Sequence, residues 1–352
     1  MSEQVLQPDS QLAYPLTCEY AYGGPQVTGL LRASPANFQV NEVLGFVPCG
    51  EGEHDFLQLR KTGINSAQLA QQIAELAGVK PMDVGYAGLK DRHAVTSQWF
   101  SVYRPKGAAV DWYQLEKNNE KGKQVELLTV SRHHQKLRRG QHAANRFRLR
   151  ITRCAGDLDN LKRHFEQIES SGVPNYFGPQ RFGFGGGNLF SAQRLLVDKR
   201  PVRNRQLRGL YLSAARSYLF NQVLRARIKD ASWQTFEEGD VASDLPSEQS
   251  LPTGPLWGRG RLATRQRIGD LEAAVVDGFS DWCHGLEHAG LKQDRRSLCL
   301  PVSELNWSVS PDTDNSVIEV AFSLPVGGYA TSMIREIVDY REPERHHASG
   351  SK

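Results

Sequence analysis

From residue 146 to 151 the chain alternates without a fault. Arg146, Arg148 and Arg150 fall on one side, and Phe147, Leu149 and Ile151 on the other. A period of two marks a β-strand with one buried face, here with cations lining the opposite one. The segment 317–324 repeats the pattern, with Ile318, Val320, Phe322 and Leu324 opposed to Val317, Glu319, Ala321 and Ser323. Shorter β-branched and apolar runs predict strands over 26–33, 38–46, 54–59, 98–103 and 125–130, with a turn at 34–37 between the first two. Elsewhere the period changes. Leu69, Ile73 and Leu76 recur at helical spacing, Asn65 stands at the N-cap with Gln68 three residues on, and Gly78 follows. That spacing predicts a helix over 66–77. Further helices are predicted over 157–170 (Leu158, Leu161, Phe165 and Ile168 inward), 189–198, 210–229, 268–291 and 331–340. Residues 105–123 and 236–264 are expected to be connections, and 346–352 a frayed tail. Strands with few helices, then a helix-rich middle, then a strand and a helix is the order of an α+β domain interrupted by an insertion.

Composition narrows the class. The chain has 352 residues, enough for about two domains. It is 39% hydrophobic and 23% charged, which excludes a disordered or fibrous chain. No apolar run approaches the ~20 residues of a membrane helix. Residues 1–16 lack the basic flank and apolar stretch of a secretory signal. The five cysteines are scattered, with no close pair, so neither a disulfide framework nor a structural zinc site is expected, and a reducing, cytoplasmic setting fits. Ten histidines form no ligand pattern, His133 and His134 being adjacent, and no metal site is expected. No heptad or long apolar stripe calls for a second copy or an obligate protein partner, and a monomer is expected.

The net charge of +4 excludes little until it is located. Between 131 and 153 stand Arg132, Lys136, Arg138, Arg139, Arg146, Arg148, Arg150 and Arg153 with no acid among them, leaving the rest of the chain net acidic. Arginine dominates, and its planar fork suits phosphate. The segment therefore points to a polyanion such as nucleic acid, over the plainer alternative of a solvated basic face. A second basic stretch, 194–208, carries six cations against Asp198 alone.

Two glycine-bearing stretches carry candidate chemistry. Gly183-Phe184-Gly185-Gly186-Gly187-Asn188 suggests a nucleotide loop, but Asn188 stands where the third glycine belongs and no Walker A motif is present, so a backbone turn is expected. In Gly88-Leu89-Lys90-Asp91-Arg92-His93-Ala94-Val95-Thr96 a single carboxylate sits between two cations, which favour its ionised form. Such a group suits nucleophilic attack or proton abstraction. On the residues alone it is equally a salt-bridged turn.

Four ordered motifs then resemble one family. Residues 87–96 resemble the catalytic loop of the TruD family of tRNA pseudouridine synthases, and Gly172-Val173-Pro174-Asn175-Tyr176-Phe177-Gly178-Pro179-Gln180-Arg181-Phe182-Gly183 its second signature. Leu212 to Gln222 is similar to a third motif, and Leu324 to Ser332, followed by Arg335-Glu336, to a fourth. The resemblance spans about 29–339. It implies isomerisation of uridine to pseudouridine at position thirteen of tRNA, with no cofactor. It also implies a pseudouridine synthase mixed β-sheet catalytic domain, 1–170 plus 303–345, with an inserted α/β TRUD domain, 171–302.

Carried over residue by residue, Asp91 matches the catalytic aspartate and Arg32 its basic partner. Phe38, Asn145 and Phe147 match residues lining the substrate pocket. Tyr329 stands where the family pattern has Phe, which keeps the ring and adds a hydroxyl. Arg132, Lys136, Arg138, Arg139 and Arg148 would hold the RNA backbone. Whether Asp91 attacks C1′ or removes the 2′ proton is open in the sequence. Two other classes stand beside this reading: a non-catalytic RNA-binding protein, and a metal-dependent nuclease built on Asp91, against which the lack of clustered carboxylates weighs.

Overall fold

The computed structural model describes residues 14–105, 109–117, 122–245, 250–312 and 315–343. The expected tail at 346–352 and the first thirteen residues lie outside these. The chain opens on β1 (Val27–Leu30), β2 (Phe38–Val43), β3 (His54–Thr62), α1 (Ser66–Ala77), β4 (Val84–Tyr86) and β5 (Val95–Tyr103). A short α2 (Gln114–Lys117), β6 (Gln124–His133) and β7 (Ala144–Gly156) follow. The alternation at 146–151 does what its period requires: Phe147, Leu149 and Ile151 are buried and the three arginines are exposed. In β2 the buried row is Phe38, Val40 and Glu42, a carboxylate in an apolar register. Helix α1 begins where Asn65 Oδ1 accepts from the Gln68 amide at 2.8 Å. It ends at Gly78, whose φ of +65° is the left-handed cap that glycine adopts without strain. Leu69 and Ile73 bury against Leu57, Leu59 and Phe100 of β3 and β5.

The helix-rich middle comprises α3 (Leu161–Ser171), β8 (Val173–Pro174), α4 (Gly187–Leu196), α5 (Arg205–Lys229) and β9 (Thr253–Leu256). It continues through α6 (Gln266–Asp277), α7 (Ser280–His288), β10 (Asp294–Ser297) and β11 (Cys299–Leu300). Three expectations are corrected here. The helix predicted from 157 starts at Leu161, because the Asp157 carboxylate turns back to the Asp159 amide at 3.0 Å and competes with helix. The helix predicted over 268–291 is two, parted at Gly278 and Phe279, each with its own buried stripe. The connection 236–264 contains β9, which pairs antiparallel with β10. Within the 183–188 stretch the expected turn covers Gly183–Gly186, with Gly183, Gly185 and Gly186 all at positive φ, and α4 begins at Gly187.

The chain closes with β12 (Ser303–Asp312), β13 (Asn315–Pro325), α8 (Ala330–Ile334) and β14 (Val338–Arg341). The strand β12 is almost wholly exposed, so no apolar alternation announced it. The helix predicted over 331–340 stops at Ile334, and Val338–Arg341 instead runs parallel to β1, in register from Val27 with Val338. Local spacing there is helical, but the edge of β1 takes up the backbone hydrogen bonds and Val338 is fully buried.

The result is a mixed α+β chain built on a ten-stranded sheet in the order β12–β13–β7–β2–β5–β3–β6, with β1 joined to β7 and β14, and β4 to β5. Packing divides the chain into two compact units. One holds Pro25–Leu161, Val302–Gly327 and the described residues from Val338, and contains the sheet. The other holds Lys162–Pro301, Gly328–Ile337 and the described residues up to Gly24. This grouping takes α3, α8 and the N-terminal stretch with the helix-rich middle, where Tyr14, Leu16, Tyr22 and Tyr329 pack on its core. Among the described residues no helix is long and apolar enough to cross a membrane.

Candidate active site

Strand register places the candidate residues of the sheet unit on one face. Val40 opposes Phe147 and Glu42 opposes Asn145 between β2 and β7. Val40 also opposes Thr96 of β5, which opposes Lys61 of β3. Paired residues point to the same side of a sheet, so Phe38, Glu42, Lys61, Asn145 and Phe147 share a surface. Asp91 reaches it from the loop between β4 and β5.

The cation beside Asp91 is neither of its chain neighbours. Arg92 is exposed. Lys90 turns inward, its ammonium 3.0 Å from Glu42 Oε2 and hydrogen-bonded to Asn145 Oδ1. Arg32 instead faces the carboxylate, with Nη1 3.0 Å from Asp91 Oδ2 and 3.5 Å from Glu342. The guanidinium carbon of Arg32 lies 3.9 Å from the centre of the Phe38 ring. Phe38 meets Phe147 edge-on at 6.3 Å, and Phe147 stacks on Phe322 at 5.2 Å. One chain of contacts thus links Asp91, Arg32, Phe38 and Phe147, and a second ties Asn145 to the same loop through Lys90. Phe38 is 3% exposed, so it supports the guanidinium from below rather than presenting an open stacking face.

The Asp91 carboxylate is also fixed from its other oxygen, which accepts from the His93 amide at 2.9 Å. The loop is anchored at several points. The Lys90 amide donates to Ser66 Oγ at 2.9 Å, and that hydroxyl donates to Gln98 Oε1 at 2.7 Å. Gln98 donates in turn to the Gly88 carbonyl. Gly63 donates to the Arg92 carbonyl at 2.8 Å, and a Cβ there would sit 1.7 Å from the Gly122 carbonyl oxygen, so only glycine fits.

Behind Lys90 lies a buried polar group that the sequence reading missed. Burial pushes the Glu42 carboxyl above its ordinary range, with Lys90 opposing, and Glu42 Oε1 also accepts from the Trp99 amide at 3.1 Å. His142 Nε2 lies 3.2 Å from Asn145 Nδ2. An amide nitrogen there can only donate, so the imidazole accepts and is neutral. Burial, assisted by the Lys90 charge, pushes the His142 pKa down to about 4. Between about pH 6.5 and 4 the unfolded chain takes up a proton at this histidine that the folded chain does not, so folding stability falls as pH falls through that window. Thermal melting from pH 7 to 4 should show this slope, and His142→Asn should flatten it. An unchanged slope would remove His142 as its source.

The signal for these residues was present. Glu42 and Lys61 occupy inward positions of otherwise apolar rows, and a charge there is either partnered or functional.

The basic candidates divide. Arg132 is committed internally, donating to Asp55 at 2.9 Å and to the Gly52 carbonyl at 2.8 Å, and Lys136 donates to the Met82 carbonyl. Arg146 pairs with Glu304 at 2.7 Å and Arg150 with Glu319 at 3.5 Å. Arg138, Arg139 and Arg148 are exposed, with no ion pair among the described residues. Arg148 projects from the sheet face opposite Phe147 and Asn145, beside a shallow pocket lined by Gln39, Arg150, Asn306, Ser308 and Glu319.

Tyr329 belongs to the helix-rich unit. Its hydroxyl accepts from Arg181 at 3.1 Å, and its ring lies 6.3 Å from Phe177, edge-on. The second signature is clamped there by Asn221 of α5, whose side chain accepts from the Phe177 amide at 3.0 Å and donates to its carbonyl at 2.9 Å. Among the described residues no three His, Cys, Asp or Glu side chains group as a metal site would require.

The chain matches the profile of the tRNA pseudouridine synthase D (TruD) family over residues 17–201 and 202–255. It is 45% identical over 339 residues to the tRNA pseudouridine synthase D of Methylococcus capsulatus, covering 91% of this chain and 94% of that one. It is 44% identical over 340 residues to that of Cellvibrio japonicus, covering 95% of each. A Methanosarcina mazei crystal structure carrying the same assignment shares the fold, with a TM-score of 0.65 at 18% identity over 90% of this chain and 95% of that one.

Proposed function

The chain belongs to the TruD family of tRNA pseudouridine synthases, and from that premise we propose that it isomerises uridine to pseudouridine at position thirteen of tRNA, with Asp91 as nucleophile or base. The observation that carries this reading is the environment of Asp91. The loop presents one carboxylate, held from both oxygens, beside a guanidinium that is itself seated on an aromatic ring.

The reaction breaks the glycosidic bond from C1′ to N1, turns the uracil, and joins C5 to C1′. C5 loses a proton and N1 gains one, so the atoms balance without a redox partner or a transferred group. Asp91 acts at the ribose, attacking C1′ or removing the 2′ proton. Arg32 pairs with the carboxylate and aims it, and Phe38 holds Arg32 in place. The detached base must be retained for the second bond. Phe147 and Asn145 are the groups of the sheet unit suited to that by contact and hydrogen bonding, and the resemblance gives Tyr329 the same task. A uridine stacked in folded tRNA reaches such a site only by flipping out. Exposed Arg138 and Arg139 are cations placed to meet phosphate, and binding through them weakens as salt rises. On this reading the enzyme works where tRNA is, in the cytoplasm.

Loss of the C5 hydrogen supplies the test. With tRNA carrying tritium at uridine C5, the protein in EDTA should release label to water while the chain length of the RNA stays intact. RNA bound without release would favour a binding protein, and cleavage abolished by EDTA a nuclease.

A further inference from the structure

Lys61 is a charged group on the site face to which the resemblance assigns no role. It continues the inward row of Leu57 and Leu59 on β3 and is 1% exposed. No carboxylate pairs with it among the described residues. Its ammonium donates instead to three backbone carbonyls, those of Ile64 at 2.9 Å, Asp91 at 3.1 Å and Lys90 at 3.4 Å. Three protons meet three acceptors, which is the full donor capacity of a lysine.

Burying an ammonium without a counter-ion is costly, and a methionine would fill the space without that cost. Burial drives the Lys61 pKa down to about 8, with Asp91 pulling it up and Lys90 pushing it further down. What the arrangement secures is visible in the backbone. The carbonyls of Lys90 and Asp91 belong to the two peptide planes that bracket the Asp91 Cα. Pinning both planes fixes φ and ψ of Asp91, and with them the direction of its carboxylate. The third contact ties the same ammonium to the turn that leads into α1.

We propose that Lys61 is a positioning residue for the isomerisation, its ammonium clamping the two peptide planes on either side of Asp91. This rests on Asp91 being the reacting carboxylate. Lys61 touches no substrate in this role. It acts by holding the Asp91 backbone, and an error of about 1 Å in such a group costs on the order of 100-fold in rate.

The test is single-turnover pseudouridine formation at saturating enzyme, with tRNA affinity measured separately. Lys61→Met should lose about 100-fold in rate with unchanged tRNA affinity. In the wild-type protein the rate should fall above about pH 8, as the ammonium loses a proton and with it one of its three hydrogen bonds. The charged groups facing Lys61 among the described residues are Asp91 and Lys90; its cross-strand neighbours Thr96 and Val125 do not titrate. Titration of the uracil itself would appear equally in both proteins, so the alkaline limb near pH 8 should vanish only in Lys61→Met. A variant with wild-type rate, or the same limb in both proteins, would overturn the proposal. Should Lys61→Met fail to fold, a wild-type rate that stays flat to about pH 10 overturns it alone. Asp91→Asn run in parallel separates the two claims. If that variant turns over, the reading of Asp91 falls; if it is inactive while Lys61→Met is fully active, only the role of Lys61 falls.

Discussion

Asp91→Asn should bind tRNA with wild-type affinity and form pseudouridine at least about 10⁴-fold more slowly, the scale of loss when a nucleophile or its base is removed. The substitution is nearly isosteric. The amide oxygen still accepts from the His93 amide, which meets the present carboxylate at 2.9 Å, so the loop keeps its shape. What disappears is the negative charge facing Arg32 at 3.0 Å and, on the proposed reading, the lone pair that attacks C1′ or takes the 2′ proton. An amide does neither. The measurement is pseudouridine formed per enzyme under single-turnover conditions, with a filter-binding isotherm alongside. Affinity lost together with rate would mean that the carboxylate shapes the RNA-binding surface instead.

Arg32→Ala is expected to lower the same rate by about 10²–10³-fold, the range found when one preorganised electrostatic partner is removed from a site. Arg32 combines several requirements in one residue. Its Nη1 serves Asp91 and Glu342, its plane covers Phe38, and its side chain is 9% exposed. Its backbone sits at φ +59°, in the left-handed region that costs a non-glycine residue roughly 1–2 kcal/mol. A residue held there at that cost is held for its side chain. Arg32→Lys should recover only part of the loss, because an ammonium lacks the plane that stacks on the ring. Full activity in Arg32→Lys would reduce the role of Arg32 to that of a point charge.

How much of this was legible in the sequence depended on whether the signal was local. The inward rows of β7 and β13 and both caps of α1 follow from period and capping chemistry, and they stand where the residues placed them. The end of the chain was not legible, because 331–340 has helical spacing while the edge of β1 claims Val338–Arg341 as a strand, a partner more than three hundred residues away. The strand β12 was hidden by the absence of any apolar face. At the site, the motif pointed to Asp91 and Arg32, but the flanking cations Lys90 and Arg92 were misread as its local partners. Only register shows that Lys90 turns to Glu42 and Asn145, and that Lys61, thirty residues earlier, reaches the Asp91 backbone. The basic segment was read by count. The fold spends Arg132, Lys136, Arg146 and Arg150 on internal partners and sends Arg148 to the other face of the sheet.

The proposed reaction converts one uridine, at position thirteen, by way of Asp91. The most direct measurement is carbodiimide mapping of pseudouridine by primer extension on an unmodified tRNA transcript, incubated with wild-type protein and with Asp91→Asn. Wild-type protein should give a single new stop, at the residue reporting position thirteen, and the variant none. A stop at another uridine, no stop at all, or the same stop with both proteins would contradict that reaction.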